Sequence, residues 1–432
     1  MTPLRHERRR AVHRALALLV TVLLVGGLLA PRATAQGADS ASAYVVRVVT
    51  FGQGHEVFER FGHNALWISD SRAGRDVAYH WGLFDFNEPD FLVRFLTGDT
   101  RYSMGPADPR LLIEHERNAG RPVTIQTLDL TPDQARTLAD FVRWNALEEN
   151  RYYRYDYYRD NCSTRLRDAL DRAVGGAIRR ATDSARTALS YRRESVRLTD
   201  GAAQAGIDVA LGRPADEPLS AWQSFFIPMR LRDALREIQV SDADGHLHPI
   251  VFREQLVMPP DGRLAVTELT EAPRLAPRFA IVGVVLAALV VVLRIMAVTR
   301  RGAAWGLAVL GAGWSLVCGL LGIVLLLAWF FTRHVFWGMN ATTLLLSPVS
   351  LLLVVLIPLS ILRNRARLAT ARISIAVAIL GCLAAVVTML PNGPESRAVV
   401  ALLLPTHLAL AWALRRGTSV AAPRVPRRLD IV

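Results

Sequence analysis

The chain of 432 residues contains no lysine, so all 51 of its permanently basic side chains are arginines, and they set a formal net charge of +13. A basic total of this size raises nucleic acid as a partner. The arginines argue against it, being dispersed in the first half and clustered beside apolar segments in the second. Cysteine is scarce as well, with three in the chain. Cys318 and Cys382 fall in apolar runs, which leaves Cys162 without a partner for a disulfide in the polar half. No Cys–His spacing supports a structural zinc site. Gly54-His55-Glu56-Val57-Phe58 lacks the second histidine of a zinc-protease helix. The sequence therefore calls for no metal and no cofactor.

What is present divides the chain in two. Residues 36–278 hold nearly all the acidic side chains and most of the tyrosines, whereas 279–414 are mostly Leu, Val, Ala, Ile and Gly. Ahead of both, Arg5, Arg8, Arg9 and Arg10 precede an apolar run from Ala15 to Ala30 and then Ala33-Thr34-Ala35. A basic start, a short apolar core and a small-x-small exit predict a secretory signal peptide over 1–35. Residues 36–278 are then an exported domain. Five later segments, 279–298, 305–331, 342–362, 372–390 and 398–414, are long and apolar enough to cross a bilayer, which takes roughly 20 residues each. Arg300 and Arg301, then Arg363, Arg365, Arg367 and Arg372, then Arg415, Arg416, Arg424, Arg427 and Arg428 fall in alternate loops and the tail. The positive-inside rule puts those on the cytoplasmic side and the exported domain in the periplasm. The tail, 415–432, is cytoplasmic, and the expected location is a bacterial inner membrane.

An unpaired cysteine in an oxidising compartment needs a purpose. Cys162 lies in Asp160-Asn161-Cys162-Ser163-Thr164, a polar stretch leading into Arg165-Leu166-Arg167-Asp168-Ala169-Leu170. Good capping residues followed by helical apolar spacing put Cys162 in the first turn of a helix. Backbone N–H groups there favour an anion, so a lowered thiol pKa is expected. A nucleophilic thiol needs a base, and the base an orienter. His63 opens the alternating run His63-Asn64-Ala65-Leu66-Trp67-Ile68, and His80 lies in Val77-Ala78-Tyr79-His80-Trp81. Two neighbouring strands can bring both imidazoles to one end of a sheet, with the Cys162 helix packed on it.

With these residues in view, the sequence resembles the circularly permuted papain-like fold, in which His precedes Cys. It is more closely similar to the Lnb family of bacterial lipoprotein N-acyltransferases. The likeness rests on Arg60-Phe61-Gly62-His63-Asn64-Ala65, on Trp81-Gly82-Leu83-Phe84-Asp85-Phe86, on Phe91 to Gly98 with Tyr102, on Asn150 to Tyr158, and on Asp160-Asn161-Cys162-Ser163-Thr164-Arg165. A short echo recurs at Gly338-Met339-Asn340. The resemblance implies an α+β periplasmic domain, permuted papain-like, followed by an all-α transmembrane bundle. It implies Cys162 as nucleophile and His63 as base, with His80 in the third polar role where the family tends to have Asn. The substrates it implies are a membrane phospholipid and diacylglyceryl lipoproteins. Asn64 and Asn161, beside the two reacting residues, are expected to contact substrate. A membrane-tethered cysteine peptidase or amidase acting on peptidoglycan would use the same thiol chemistry, and a sensor with a degenerate site is the reading outside enzymes.

Three further expectations concern other segments. The outside loop from Thr332 to Asn340 combines Trp337 with Arg333, His334 and Asn340, and so predicts a floor beneath Cys162 on which Arg333 pairs with a lipid phosphate and Asn340 donates a hydrogen bond. The stretch 181–197 reads as a helix. Trp222, Phe225, Phe226 and Met229 read as core or as a lipid-facing contact.

Overall fold

A computed structural model describes residues 43–259, 275–390 and 393–415. The expected signal peptide and most of the cytoplasmic tail lie outside the described residues.

The first half is built on a seven-stranded antiparallel sheet of order β6-β4-β3-β2-β1-β5-β9. Its strands are β1 (Tyr44–Phe51), β2 (His63–Asp70), β3 (Arg75–Leu83), β4 (Arg101–Ala107), β5 (Val123–Leu128), β6 (Tyr152–Arg154) and β9 (Val251–Met258), while β7 (Gln239–Ser241) and β8 (Leu247–Pro249) form a separate hairpin. Alternation along the strands makes two apolar faces. Val46, Val48, Leu66, Ile68, Trp81 and Met104 form one core with the helices α3 (Pro132–Asn145) and α4 (Cys162–Ala173). On the other face, Val49, Phe51, Ala65, Ala78 and Val123 pack against Leu112 and Ile113 of α2 (Pro109–Asn118). Leu166 of α4 is wholly buried, and its truncation to Ala would cost about 2–5 kcal/mol.

The remaining helices of this half are α1 (Phe91–Thr97), α5 (Ala177–Thr182), α6 (Tyr191–Leu198), α7 (Gly201–Ala210), α8 (Ala221–Ser224) and α9 (Pro228–Leu235). The helix expected over 181–197 is thus two helices, α5 and α6, with a break between them. Arg186 makes an isolated antiparallel bridge with Ser220, and Ser190 caps α6 by accepting a hydrogen bond from the Arg193 N–H. Both tie the intervening chain to something other than a helical turn. Trp222, Phe225, Phe226 and Met229 are all buried, which assigns them to the core.

Among the described residues, five helices in the second half are long and apolar enough to span a bilayer: Leu275–Met296, Arg301–Phe331, Thr342–Leu362, Arg367–Met389 and Arg397–Arg415. We call the first two α10 and α11. The third comprises α12 (Thr342–Leu345) and α13 (Leu351–Leu362), joined by a 3-10 turn at Pro348–Ser350, and the last two are α14 and α15. The first span begins four residues earlier than the apolar run, because Leu275 to Arg278 continue the helix.

The loop after α11 fastens the two halves together. Phe336 is fully buried among Tyr158, Tyr191 and Phe226 of the first half, with ring centroids 4.7–5.1 Å apart where it meets Tyr158 and Tyr191 and where Tyr191 meets Phe226. Gly212 N–H donates to the Phe336 carbonyl at 2.7 Å. Asn340 donates to the Val209 and Ala210 carbonyls at 2.8 and 3.0 Å.

Candidate active site

Cys162 is the first residue of α4. Its neighbours in sequence hold it there. Asn161 Oδ1 accepts from the Ser163 and Thr164 N–H groups at 2.9 and 3.0 Å, and the Thr164 hydroxyl accepts from the Asn161 N–H at 2.8 Å. This reciprocal arrangement satisfies donors that a helix start leaves unpaired. Ser163 Oγ donates to the Phe225 carbonyl at 2.6 Å and accepts from Asn64 Nδ2 at 3.1 Å. Arg165 grips Asp160 through two bonds of 2.6 and 2.8 Å and covers the Tyr153 ring.

His63 starts β2, opposite Phe51 of β1, and His80 lies on β3 opposite Gly105. His63 Nε2 and His80 Nδ1 are 3.0 Å apart. Gly62, immediately before, has φ +79°. A Cβ there would meet Met229 Sδ at 2.6 Å and the Phe51 carbonyl at 2.9 Å, so glycine is required to swing His63 into place. Pairing of β2 with β3 stops at Leu66–Tyr79, and β3 is irregular between Trp81 and Leu83. Beyond that point the N-terminus of α4 closes on the sheet. The Asn64 N–H acts on the Cys162 thiol together with the N–H groups of Ser163 and Cys162 itself. The Cys162 thiol and the His63 imidazole line one cavity, and no hydrogen bond joins them among the described residues.

Electrostatics keep both groups neutral. Burial pushes the Cys162 thiol up to about 11, outweighing the three N–H groups and the Arg121 guanidinium. The thiol pKa is therefore raised, not lowered as its place at a helix start leads one to expect, because desolvation is the larger effect. Burial first, then the neighbouring His80 and Arg121, hold His63 well below the usual histidine range. Burial alone brings His80 down to about 4. Burial thus favours the neutral forms, thiol and imidazole, over thiolate and imidazolium.

The cavity has a volume of about 1610 Å³, beyond the roughly 300–1,000 Å³ of a small-molecule pocket. It is mostly apolar. Phe84, Phe86, Phe91, Phe95 and Leu96 line it, and so do Val324, Leu327 and Ala328 of the span α11. It therefore runs from Cys162 and His63 to the side of a membrane helix.

Residues 32–192 match the Lnb N-terminal periplasmic domain, and residues 271–415 match the Lnb transmembrane domain. The chain belongs to the Lnb family. It is a membrane protein with a periplasmic domain. No curated protein and no solved structure shows a significant match.

Within this Lnb chain the other expected residues divide: Asn161 and Arg333 line the Cys162 cavity, while Asn64 and Asn340 do not, and all four make structural hydrogen bonds. Asn161 spends its amide on the cap of α4 and on the Tyr157 and Phe226 carbonyls, at 3.0 and 2.9 Å. The Asn64 side chain is buried against Ser163, and only its backbone N–H faces the thiol. Asn340 does not line the Cys162 cavity. Its Oδ1 accepts from the Thr342 N–H and hydroxyl at 2.9 and 2.7 Å, while its Nδ2 clamps α7. Arg333 does reach the cavity rim, but it is paired with Asp99 at 2.8 Å. The loop is a bracket between the halves, and Thr332, Arg333, His334 and Trp337 also line the Cys162 cavity, whereas Asn340 is turned away from it.

Sequence reasoning missed Arg121 and Glu116. They form a buried pair at 2.7 Å, and Arg121 also donates to the Gly52 carbonyl at 3.2 and 3.1 Å. Both line the cavity. They sit at and just beyond the end of α2, with no local motif. Tyr155 was visible within the tyrosine-rich stretch but carried no role. It stacks on Tyr102 at 4.3 Å and faces the same cavity.

Proposed function

We propose that this protein moves a fatty acyl chain from a lipid ester, through an acyl-Cys162 intermediate, to the N-terminal amine of a lipoprotein. The observation that carries this reading is the continuous apolar cavity between Cys162 and α11. An acyl chain can lie in it while the ester carbonyl stands at the thiol.

With Nε2 of His63 donating to His80 Nδ1, the His63 Nδ1 lone pair is free to act as base. Cys162 Sγ attacks the ester carbon and its proton passes to His63 Nδ1. A neutral pair suits this concerted transfer, since the imidazole is unprotonated at neutral pH. The Asn64 and Cys162 N–H groups are suited to hold the oxyanion. The C–O bond then breaks, His63 returns the proton to the departing alkoxide, and a thioester remains. The free amine of the acceptor attacks that carbon, His63 takes the proton lost by nitrogen, the C–S bond breaks and the thiol is restored. His80 acts through His63, by orienting the ring and accepting from the imidazolium. The order His63 before Cys162 on a sheet and a helix start fits a circularly permuted papain-like scheme.

A peptidase or amidase on peptidoglycan would use the same pair with water as acceptor. The apolar lining disfavours a peptidoglycan stem. The test is incubation of the full chain in proteoliposomes with a phospholipid labelled in its acyl chain and a diacylglyceryl peptide with a free N-terminal amine. Labelled amide is expected. Release of free fatty acid without amide, or cleavage of stem peptides in its place, overturns the reading.

A further inference from the structure

We infer that α1, together with Val57 and Phe58, is seated in the outer leaflet and forms one wall of a lateral opening through which a bilayer lipid slides a chain into the cavity. The second half of this statement rests on the proposed acyl transfer; the first does not.

Leu92, Val93, Phe95 and Leu96 of α1 are 65, 59, 49 and 60 % exposed, and Phe58 and Phe86 beside them 63 and 66 %. Seven residues are too short for a helix to stand unaided, and so large an apolar patch on a soluble surface marks an interaction site. The chain itself indicates the partner. The C-terminal end of α1 is tied to the loop that follows α11. Arg333 N–H donates to the Thr97 carbonyl at 2.8 Å, the His334 ring meets the Phe95 carbonyl at 3.0 Å, and Arg333 pairs with Asp99 at 2.8 Å. Gly98 permits the approach: a Cβ there would stand 3.0 Å from the Arg333 and His334 backbone.

That loop fixes the depth. Trp305 and Trp329 of α11 are separated by about 36 Å at 1.5 Å per residue, which with a tilt matches a hydrocarbon core of about 30 Å. The two tryptophans then stand at the two aromatic belts. Phe330 and Phe331, just beyond, are still exposed and apolar. Helix α1 is bonded two residues further on. It therefore lies at the outer boundary of the bilayer, where an apolar helix face is covered by acyl chains. The same side chains of α1 line the cavity alongside Val324, Leu327 and Ala328 of α11, so the surface that meets lipid continues inward to Cys162.

The test uses the full chain carrying Cys162→Ser, in phosphatidylethanolamine–phosphatidylglycerol proteoliposomes doped with a phospholipid bearing a diazirine in one acyl chain. After irradiation, crosslinked peptides are mapped by mass spectrometry. Labelling is expected on 57–58 and 92–96 as well as on α11. The double change Leu92→Asp with Leu96→Asp should lower the α1 yield at least tenfold with α11 labelling within twofold, and Leu92→Met with Leu96→Met should keep it. Labelling of the spans with none on 57–58 or 92–96 overturns the inference. Crosslinking needs no turnover, so a failure of acyl transfer leaves this result intact and the two can fail separately.

Discussion

The start of α4 and the helix α1 face the same cavity and are made differently. Around Cys162 the polar side chains are committed: Asn161 caps, Thr164 returns the cap, Ser163 bridges Asn64 to the Phe225 carbonyl, and Arg165 holds Asp160. On α1 there is no side-chain cap, and Leu, Val and Phe dominate. The first region fixes one sulfur atom to within hydrogen-bond tolerances. The second offers surface without direction, which suits chains that differ in length and must move. A substitution at α4 should therefore act on chemistry or folding, and one near α1 on access to lipid.

The largest expected effect breaks the first region outright. Cys162→Ser should reduce acyl transfer to background with the protein still folded and inserted, and His63→Ala should lose at least about a hundredfold. The double variant should be no worse than Cys162→Ser, since nucleophile and base act together. Cys318→Ser and Cys382→Ser should keep activity. Retention of most turnover by Cys162→Ser would contradict the thiol mechanism.

A protonation measurement sharpens the contrast further. A thiol raised to about 11 by burial is mostly protonated at neutral pH, so iodoacetamide alkylation of Cys162 should keep rising with pH through 9 and 10. The reverse sign applies to His63. Held below the usual range, it stays an unprotonated base in mild acid, and kcat/KM should persist below pH 6.5. Alkylation that levels off near neutrality would mean a preformed thiolate.

Smaller losses separate position from chemistry. Asn161→Ala removes an N-cap and the amide bonds to the Tyr157 and Phe226 carbonyls, and should cost at least about 1–2 kcal/mol, read as a lower melting temperature of the purified protein. Its KM for lipid should stay close to that of the parent. His80→Asn should lose less than tenfold in kcat, because an amide oxygen can still accept from His63 Nε2–H. If it is as inactive as His63→Ala, base and orienter are exchanged. Arg333→Ala should change least. An exposed pair with Asp99 is worth about 0–1 kcal/mol, and the effect on KM for lipid should be within about threefold.

The sequence was informative where structure is local. Gly62-His63-Asn64 followed by alternating apolar residues marks the start of β2, Asn161-Cys162-Ser163-Thr164 marks a helix cap, and the apolar runs mark the spans. It was uninformative where distant packing decides. Arg121 reaches the site only because β5 pairs with β1, bringing the end of α2 beside Gly52. Arg333 and Asn340 are as fit to hold a lipid headgroup as another protein group; that Asp99 and the Val209 carbonyl stand beside them is decided by distant packing. The thiol pKa turns on a similar contest. The helix start can be read from four residues, whereas the burial that outweighs it depends on residues throughout the fold.

The most direct test is to trap the intermediate. The full chain in proteoliposomes would be given phospholipid without any acceptor, quenched in acid, digested and examined by mass spectrometry. The account predicts a fatty acyl group on Cys162, removed by hydroxylamine at neutral pH, lost on adding an amine-bearing diacylglyceryl peptide, and absent from His63→Ala. An unmodified Cys162 while amide product accumulates would contradict it.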